Sequence, residues 1–260
     1  MRAAKRSLSP WRSGRPAASM LLWGPPGVGK THAAGVLASS LFGEGGLIRL
    51  DMSEYSEKHS ISRLTGAPPG YLGHDEGGQL TERIKRKPDS VVLFDEAEKA
   101  HPDILNLLLQ ILEEGCLTDS MGCRVSFSRA VIVITTNMDP VRERAMGFGS
   151  GGGRQVFFSR ELTDRIDEIV GMKPLGAPEL EMVAENMLTE LGSRMERERL
   201  SLSWEKDVPR TLAEHAVSAR DVRRAVARAE SSITDLCLSS MAERVRLVPE
   251  NGKVLARALV

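Results

Sequence analysis

Aromatic residues and an excess of either charge are what this sequence lacks most clearly. Aromatic side chains make up 4% of its 260 residues, and 35 Lys plus Arg balance 35 Asp plus Glu. Without net charge there is no overall field to attract nucleic acid or an anionic membrane surface. No apolar run approaches the ~18 residues of a membrane-spanning helix. We therefore predict neither a nucleic-acid partner nor a membrane partner.

Cysteine is also scarce. Cys116, Cys123 and Cys237 are odd in number and do not have the spacing of metal ligands. We expect three ordinary reduced thiols. The first fifteen residues are basic but lack the apolar segment and cleavage site of a signal peptide, so the expected location is the cytoplasm.

A Gly-rich segment, residues 24–31, follows directly on the apolar run 20–23. Such a run predicts a buried strand, and a helix is then expected to begin at Lys30. In this context backbone N–H groups close around phosphates, the lysine neutralises their charge, and the threonine hydroxyl is offered to Mg²⁺. The alternative for the segment alone is a chance Gly-rich turn. The residues of the predicted triphosphate site are Gly24, Pro25, Pro26, Gly27, Val28, Gly29, Lys30 and Thr31.

A second apolar run, residues 90–94, ends in the adjacent carboxylates Asp95 and Glu96. Asp95 suits the water shell of Mg²⁺, and Glu96 suits the polarisation of an attacking water. By themselves the two residues are as well explained by a solvated turn at the end of a strand. Together with the Gly-rich segment they predict hydrolysis of the triphosphate as well as its binding.

Strand and helix patterns alternate along the first two thirds of the chain, which predicts a doubly wound parallel α/β sheet. Helices are predicted at 30–42, 56–64, 78–87 and 103–113, strands at 47–50, 90–94 and 130–134, and a short hairpin at 116–127. The apolar residues expected to share the face of helix 103–113 are Ile104, Leu105, Leu108, Leu109 and Leu112.

The pattern becomes mainly helical after about residue 176. A long helix is predicted at 219–240, and a β-hairpin at 245–255 is predicted to turn at Asn251-Gly252. Pro and Gly cluster where the pattern changes. We therefore predict a large domain, 1–175, with a basic lead-in at 1–18, and a small domain, 176–260.

Four segments carry a more specific signature than the Gly-rich loop. They are Asp51-Met52-Ser53-Glu54-Tyr55, Glu57-Lys58-His59-Ser60, the Gly- and Pro-rich run 66–73, and Asp95-Glu96-Ala97-Glu98-Lys99-Ala100-His101-Pro102. With these the chain resembles the Clp family of AAA+ protein unfoldases, and most closely the second ATPase module of the ClpC, ClpE and ClpA type. The resemblance implies a P-loop AAA+ parallel sheet flanked by helices, plus a small mainly helical lid domain with a C-terminal β-hairpin.

The resemblance also implies roles for single residues, with ATP and Mg²⁺ as cofactors. Lys30, Thr31 and Asp95 match binders of nucleotide and Mg²⁺. Glu96 matches the hydrolytic carboxylate. Asn137 matches sensor 1, whose amide orients the water or contacts the γ-phosphate.

Two arginines match residues that complete such a site. Arg165 matches the arginine finger that enters the site of the neighbouring subunit, where its planar guanidinium stabilises phosphate charge. Its alternative is a salt bridge to Asp167 or Glu168. Arg220 matches sensor 2 on the lid.

Two further segments match contact sites for other proteins. Tyr71 resembles the pore-loop aromatic that grips polypeptide, because a rigid ring gives contact area with any side chain. Its alternative is an ordinary turn residue. Met146, Gly147 and Phe148 resemble the tripeptide that docks on a ClpP-like peptidase, with a Phe folded onto its own domain as the alternative.

The favoured function is an ATP-driven unfoldase that forms a homo-oligomeric ring, expected to be a hexamer, and threads unfolded polypeptide into a ClpP-like peptidase. One alternative is a chaperone or disaggregase motor that needs no peptidase. Another is a nucleotide-gated binding module without motor activity. Use as a helicase is disfavoured by the neutral charge and the polypeptide-type pore loop.

Overall fold

The computed structural model describes residues 14–57, 60–67, 77–140 and 158–259. The chain divides into two units, Met1–Pro25 with Gly29–Met172, and Pro26–Val28 with Lys173–Val260. The predicted pore-loop residue Tyr71 and the predicted docking residues 146–148 lie outside the described residues.

A five-stranded parallel sheet lies at the centre of the first unit, with strand order β2-β3-β6-β1-β7. Its strands are β1 Ala18–Trp23, β2 Leu47–Asp51, β3 Val91–Asp95, β6 Val131–Thr136 and β7 Glu168–Gly171. The central strand β6 is buried at every position, as its continuous apolar run predicts. The predicted parallel α/β sheet is confirmed.

Helices and a hairpin connect these strands. They are α1 Lys30–Phe42, α2 Ile61–Thr65, α3 Gln79–Arg86, α4 Asp103–Glu114, α5 Arg160–Arg165, the 3₁₀ turns Met52–Tyr55 and Ala97–Lys99, and the antiparallel strands β4 Cys116–Thr118 and β5 Arg124–Ser126. The structure differs from the helix predicted at 56–64. A 3₁₀ turn forms earlier because the Asp51 side chain accepts a hydrogen bond from Ser53 N, and α2 begins only at Ile61.

Helix α4 follows Pro102, which fits the first turn of a helix because its missing N–H would have no partner there. Ile104, Leu108 and Ile111 are fully buried against the sheet. Burial of each of these side chains stabilises the fold by on the order of 1.5–3 kcal/mol. The predicted face is wrong in part, since Leu107 and Ile111 belong to the core, whereas Leu105 and Leu109 are only partly buried against it.

The second unit has a core of its own. It contains α6 Ala177–Arg197, α7 Val208–Ala213, α8 Ala219–Ser240, and the strands β8 Ser201–Trp204, β9 Arg244–Glu250 and β10 Lys253–Ala258. Helix α8 has the predicted bounds, and β9 and β10 form the predicted hairpin. Strand β8, which was not predicted, pairs in parallel with β9 and extends the hairpin to three strands.

In the part of the chain that is described, no helix combines the length and the apolar character that crossing a bilayer requires. The cysteines Cys116, Cys123 and Cys237 are all free thiols.

Candidate functional site

Side chains alternate between the two faces of a strand, and in two neighbouring strands this places polar side chains together at one edge of the sheet. Leu93 of β3 and Val133 of β6 pack in one cluster with Ala34 of α1. Asp95 and Thr135, each two residues later, continue onto that same face. Because all five strands are parallel, their carboxyl ends meet at this edge, which is where parallel α/β sheets bind ligands.

Asp95 is the centre of the arrangement, with a side chain only 4% exposed. Its Oδ1 accepts hydrogen bonds from Thr135 Oγ1 at 2.6 Å and from Thr31 Oγ1 at 3.0 Å. Its Oδ2 accepts from Thr31 Oγ1 at 3.1 Å, and from Arg49 Nε at 3.1 Å and Nη2 at 2.7 Å. Helix α1 and strands β2 and β6 thus all contribute to fixing one carboxylate.

The Gly-rich loop ends in the left-handed backbone conformation at the start of α1. Gly27 has φ of 80° and Gly29, the residue before the helix, has φ of 95°. Gly29 has no side chain to cap the helix, and the first turn of α1 carries no acidic residue. The first N–H groups and the positive end of the helix dipole therefore remain available to an anion.

Lys30 is buried, with 7% of its surface exposed. Its ammonium donates to Gly24 O at 2.7 Å, Pro25 O at 2.9 Å and Asn137 Oδ1 at 2.8 Å. Burial lowers the pKa of Lys30, and the negative charges of Glu98, Asp95 and Glu96 partly oppose that effect. All three donors thus go to neutral oxygens, so within the described residues no anion is bonded directly to this charge.

Glu96 lies immediately beyond β3 in the left-handed region, with φ of 57°. Such a conformation is unfavourable for a residue with a Cβ and is typical of functional sites. The backbone N–H of Glu96 donates to Thr135 Oγ1 at 3.0 Å, and its carboxylate pairs with Lys99. The turn therefore directs the carboxylate out of the strand, and 31% of the side chain is exposed.

Asn137 bridges Lys30 and Glu98. Its Oδ1 accepts from Lys30, while its Nδ2 donates to Glu98 Oε1 at 2.7 Å and its backbone N to the same oxygen at 3.2 Å. Glu98 Oε2 is buried and has no hydrogen-bond partner in the described residues. Glu98 thus fixes the orientation of the Asn137 amide.

The two predicted arginines lie in different units. Arg165, at the end of α5, pairs with Glu113 of α4 at 2.5 Å, and its side chain is 38% exposed. The alternative partner Asp167 accepts hydrogen bonds from Ser19 N at 2.9 Å and Ser19 Oγ at 3.0 Å. Arg220 is exposed in the first turn of α8, in the second unit.

Three residues of the site were not singled out from the sequence: Arg49, Glu98 and Thr135. Arg49 is a charged residue in the middle of the mostly apolar strand β2, and Thr135 follows the apolar run of β6. Both are weak signals of a functional residue. Glu98 belongs to the segment that includes Asp95 and Glu96. Their contacts depend on residues far away in the chain.

Magnesium would fit beside Thr31 and Asp95. The described residues include no group of three or more His, Cys, Asp or Glu side chains placed to hold a metal ion. Magnesium, however, is usually held through one or two carboxylates together with waters and substrate phosphates. Thr31 Oγ1 lies 3.0 Å from Asp95 Oδ1 and 3.1 Å from Asp95 Oδ2, so the hydroxyl and this carboxylate are suitable protein ligands for such an ion.

Known proteins match most of this chain. The family model described as "AAA domain (Cdc48 subfamily)" matches residues 15–198. The chain is 41% identical to the ATP-dependent Clp protease ATP-binding subunit ClpC of Staphylococcus saprophyticus, over 86% of this chain and 30% of that relative. It is 45% identical to the chaperone protein ClpB of Staphylococcus aureus, over 82% of this chain and 26% of the relative.

A third relative covers more of the chain. The chaperone protein ClpB of Helicobacter hepaticus is 40% identical over 92% of this chain and 30% of the relative. The chain therefore spans less than a third of the length of each of these relatives.

Proposed function

We propose that this chain, which belongs to the AAA domain family (Cdc48 subfamily), binds and hydrolyses ATP with Mg²⁺ and uses the energy to unfold polypeptide. The relatives named as Clp subunits and chaperones support a Clp-type role. Because the chain spans less than a third of each relative, we assign the activity of the whole relatives to this chain only as a proposal.

The observation that carries the proposal is the buried Lys30 ammonium, whose three hydrogen bonds all go to neutral oxygens. A buried charge is costly unless an opposite charge compensates it. Lys30 lies at the N-terminus of α1, where backbone N–H groups and the helix dipole also favour an anion. A phosphate would replace the loop carbonyls as the partner of Lys30 and would bond an anion directly to its ammonium.

The residues around this position divide the chemistry between them. Lys30 would neutralise phosphate charge, while Thr31 and Asp95 would hold Mg²⁺, which draws charge from the phosphate oxygens. Glu96 would polarise the attacking water, and Asn137 would orient it. The remaining members of the proposed loop are Gly24, Pro25, Pro26, Gly27, Val28 and Gly29.

We extend the proposal to the assembly. Residues 1–175 would form the ATPase domain and 176–260 the lid, with Arg220 as its sensor. Arg165 would enter the site of the next subunit in a ring, expected to be a hexamer, since a planar guanidinium stabilises transition-state charge. Tyr71 would grip the polypeptide, and the ring would act in the cytoplasm.

The destination of the unfolded polypeptide defines two versions of this function. In one, Met146, Gly147 and Phe148 dock on a ClpP-like peptidase, in keeping with the relative named as a subunit of a Clp protease. In the other, the motor acts as a chaperone without a peptidase, in keeping with the relatives named ClpB. Deletion of residues 146–148 would abolish degradation in the first version and change nothing in the second.

Substitution Glu96→Gln tests the hydrolytic step. It removes the charge that polarises water while keeping the size of the side chain, so we expect kcat for ATP to fall by about 10²-fold or more with ATP binding retained. The readouts are phosphate release and binding of a fluorescent ATP analogue. The matched control is Glu44→Gln in the exposed turn after α1, which should behave as the wild type.

Wild-type protein that releases no phosphate in the presence of Mg²⁺ at any protein concentration would contradict the proposed hydrolysis. A wild type that binds nucleotide but never turns it over would favour the nucleotide-gated binding module instead.

A further inference from the structure

The partners of Asp95 are of two kinds. Thr31 and Thr135 are held by α1 and the central strand β6, and Thr135 is fully buried. Arg49 reaches the same carboxylate from β2, but 52% of its side chain is exposed. The carboxylate and its two hydroxyl partners are therefore fixed, whereas the guanidinium is on a long side chain that can turn into solvent.

The guanidinium occupies the side of Asp95 that a metal would need. Both of its hydrogen bonds go to Oδ2, and Thr31 Oγ1, the other proposed metal ligand, is 3.1 Å from this same oxygen. A divalent cation between Thr31 and Asp95 would lie close to the guanidinium, and two like charges at such short range repel each other. The two cations thus compete for the same carboxylate.

We propose that Arg49 is a displaceable counter-ion for Asp95, which it neutralises in the nucleotide-free protein and leaves when Mg²⁺ arrives with nucleotide. This inference rests on the proposed function, because it assigns Asp95 to the magnesium site. Arg49 is then a positioning residue. It holds the buried carboxylate in place for the metal, and it sets the Mg²⁺ concentration at which the site fills.

The structure also offers a second position for the displaced guanidinium. Residues 49 and 51 lie on the same face of β2, because side chains alternate along a strand. The Asp51 carboxylate caps the 3₁₀ turn by accepting from Ser53 N and Ser53 Oγ, and it remains partly exposed. Arg49 can therefore exchange the charge of Asp95 for that of Asp51 without leaving its strand.

Two other roles for Arg49 predict different results. A purely structural arginine would contribute the same stability whether nucleotide is bound or not. An arginine that contacts the nucleotide would contribute more in the bound state. A displaceable counter-ion contributes in the free state and loses that contribution when Mg²⁺ takes its place, since a ligand changes an equilibrium only through its different affinity for the two states.

The first experiment compares the melting temperatures of the full 260-residue chain and of Arg49→Met. In EDTA without nucleotide we expect the variant to melt about 2–4 °C lower, and with saturating ADP and Mg²⁺ we expect this difference to shrink to within about 1 °C. The control is Arg129→Met. Arg129 pairs with Asp89 on the surface of the same unit, so its small effect should be equal in both conditions.

The second experiment titrates Mg²⁺ at a fixed concentration of a fluorescent ADP analogue. Removal of the competing charge should lower the half-saturating Mg²⁺ concentration for Arg49→Met by about fivefold. This factor is the equilibrium constant for the free energy that corresponds to the expected difference in melting temperature. Arg49→Lys keeps the charge but not the two-point contact, so it should give a smaller decrease. This variant also carries the test if Arg49→Met does not fold.

An equal difference in melting temperature with and without Mg²⁺ and ADP would overturn the inference, as would a larger difference in their presence. An unchanged Mg²⁺ titration in both variants would do the same. Each of these results leaves nucleotide binding by the wild type intact. A wild type that ADP and Mg²⁺ fail to stabilise would instead overturn the proposed function, and this inference with it.

Discussion

A single hydroxyl connects Asp95, the last residue of β3, with Glu96, which follows it. Thr135 Oγ1 donates to Asp95 Oδ1 at 2.6 Å and accepts from the backbone N–H of Glu96 at 3.0 Å. Thr135 is fully buried, so water does not surround its hydroxyl. One side chain therefore holds both the proposed metal ligand and the backbone of the proposed general base.

Substitution Thr135→Val tests this connection, because valine has the same shape and lacks the hydroxyl. It takes this acceptor from the Glu96 N–H and removes one donor from Asp95, so we expect the free energy of unfolding to fall by about 1–3 kcal/mol. Urea denaturation measures the loss. The control is Thr189→Val on the exposed side of α6, which should change stability by less than about 0.5 kcal/mol. Equal effects of the two substitutions would show that the buried hydroxyl has no special role.

The residues that sequence reasoning found and those it missed differ in a physical way. Lys30, Asp95 and Glu96 belong to short segments whose spacing alone indicates phosphate chemistry. Arg49 and Thr135 act through contacts that span 46 and 40 positions along the chain. Their pairing depends on strand order and register, which a local pattern does not specify.

At the scale of elements, long periodic segments were predictable and short edge strands were not. The bounds of α1 and α8 follow from their sequence patterns and from residues at their ends. Gly43 ends α1, and Ser218 caps the start of α8. Strand β7 is exposed at all four positions, and β8 is at most partly buried. Strand β7 carries no apolar alternation, and the alternation in β8 covers only four residues, so their pairing with β1 and β9 defines these strands.

Two glycines, Gly252 and Gly35, allow backbone conformation to be tested apart from packing. Gly252 ends the turn between β9 and β10 with φ of 72°, while Gly35 lies within α1, and a Cβ at either position would meet open space. The hairpin turn requires positive φ, which L-residues avoid, whereas a helix favours alanine over glycine. The same substitution should therefore have opposite effects in the two elements.

We expect Gly252→Ala to lower the free energy of unfolding by about 1 kcal/mol and Gly35→Ala to raise it by about 0.4–1 kcal/mol. Chemical denaturation of both variants, followed by circular dichroism, measures the two changes. A loss of stability in both variants would mean that steric contacts of the new Cβ, and not the backbone conformation, decide the change in stability. A gain in both would contradict the turn geometry at Asn251 and Gly252.

At the scale of the whole molecule, the proposed finger is already paired within its own chain. Arg165 contacts Glu113 of α4, and both side chains are more than one third exposed. Exposed pairs of this kind contribute little, typically ~0–1 kcal/mol, so the guanidinium can leave Glu113 for a stronger anion at small cost. A phosphate in a neighbouring subunit would be such an anion.

A mixing experiment tests whether sites are shared between subunits. Arg165→Ala alone should lose about 10³-fold or more in kcat, since a finger contributes at least that much. Glu96→Gln alone should also be inactive. In a mixed ring, however, an Arg165→Ala subunit keeps its own Glu96 and can receive Arg165 from a Glu96→Gln neighbour. An equal mixture should therefore recover about a quarter of the wild-type rate, the fraction of interfaces with this arrangement.

The control for this experiment is Arg160→Ala on the same helix α5. Arg160 is 87% exposed and contacts Asp164 within its own helix, so its loss should leave the ATPase rate unchanged. If the rate of the mixture were only the sum of the two inactive variants, each site would be complete within one chain, and the pairing of Arg165 with Glu113 would be its only role. Recovery that disappears on dilution would instead show that the active unit is an assembly, because each productive site then needs residues from two chains.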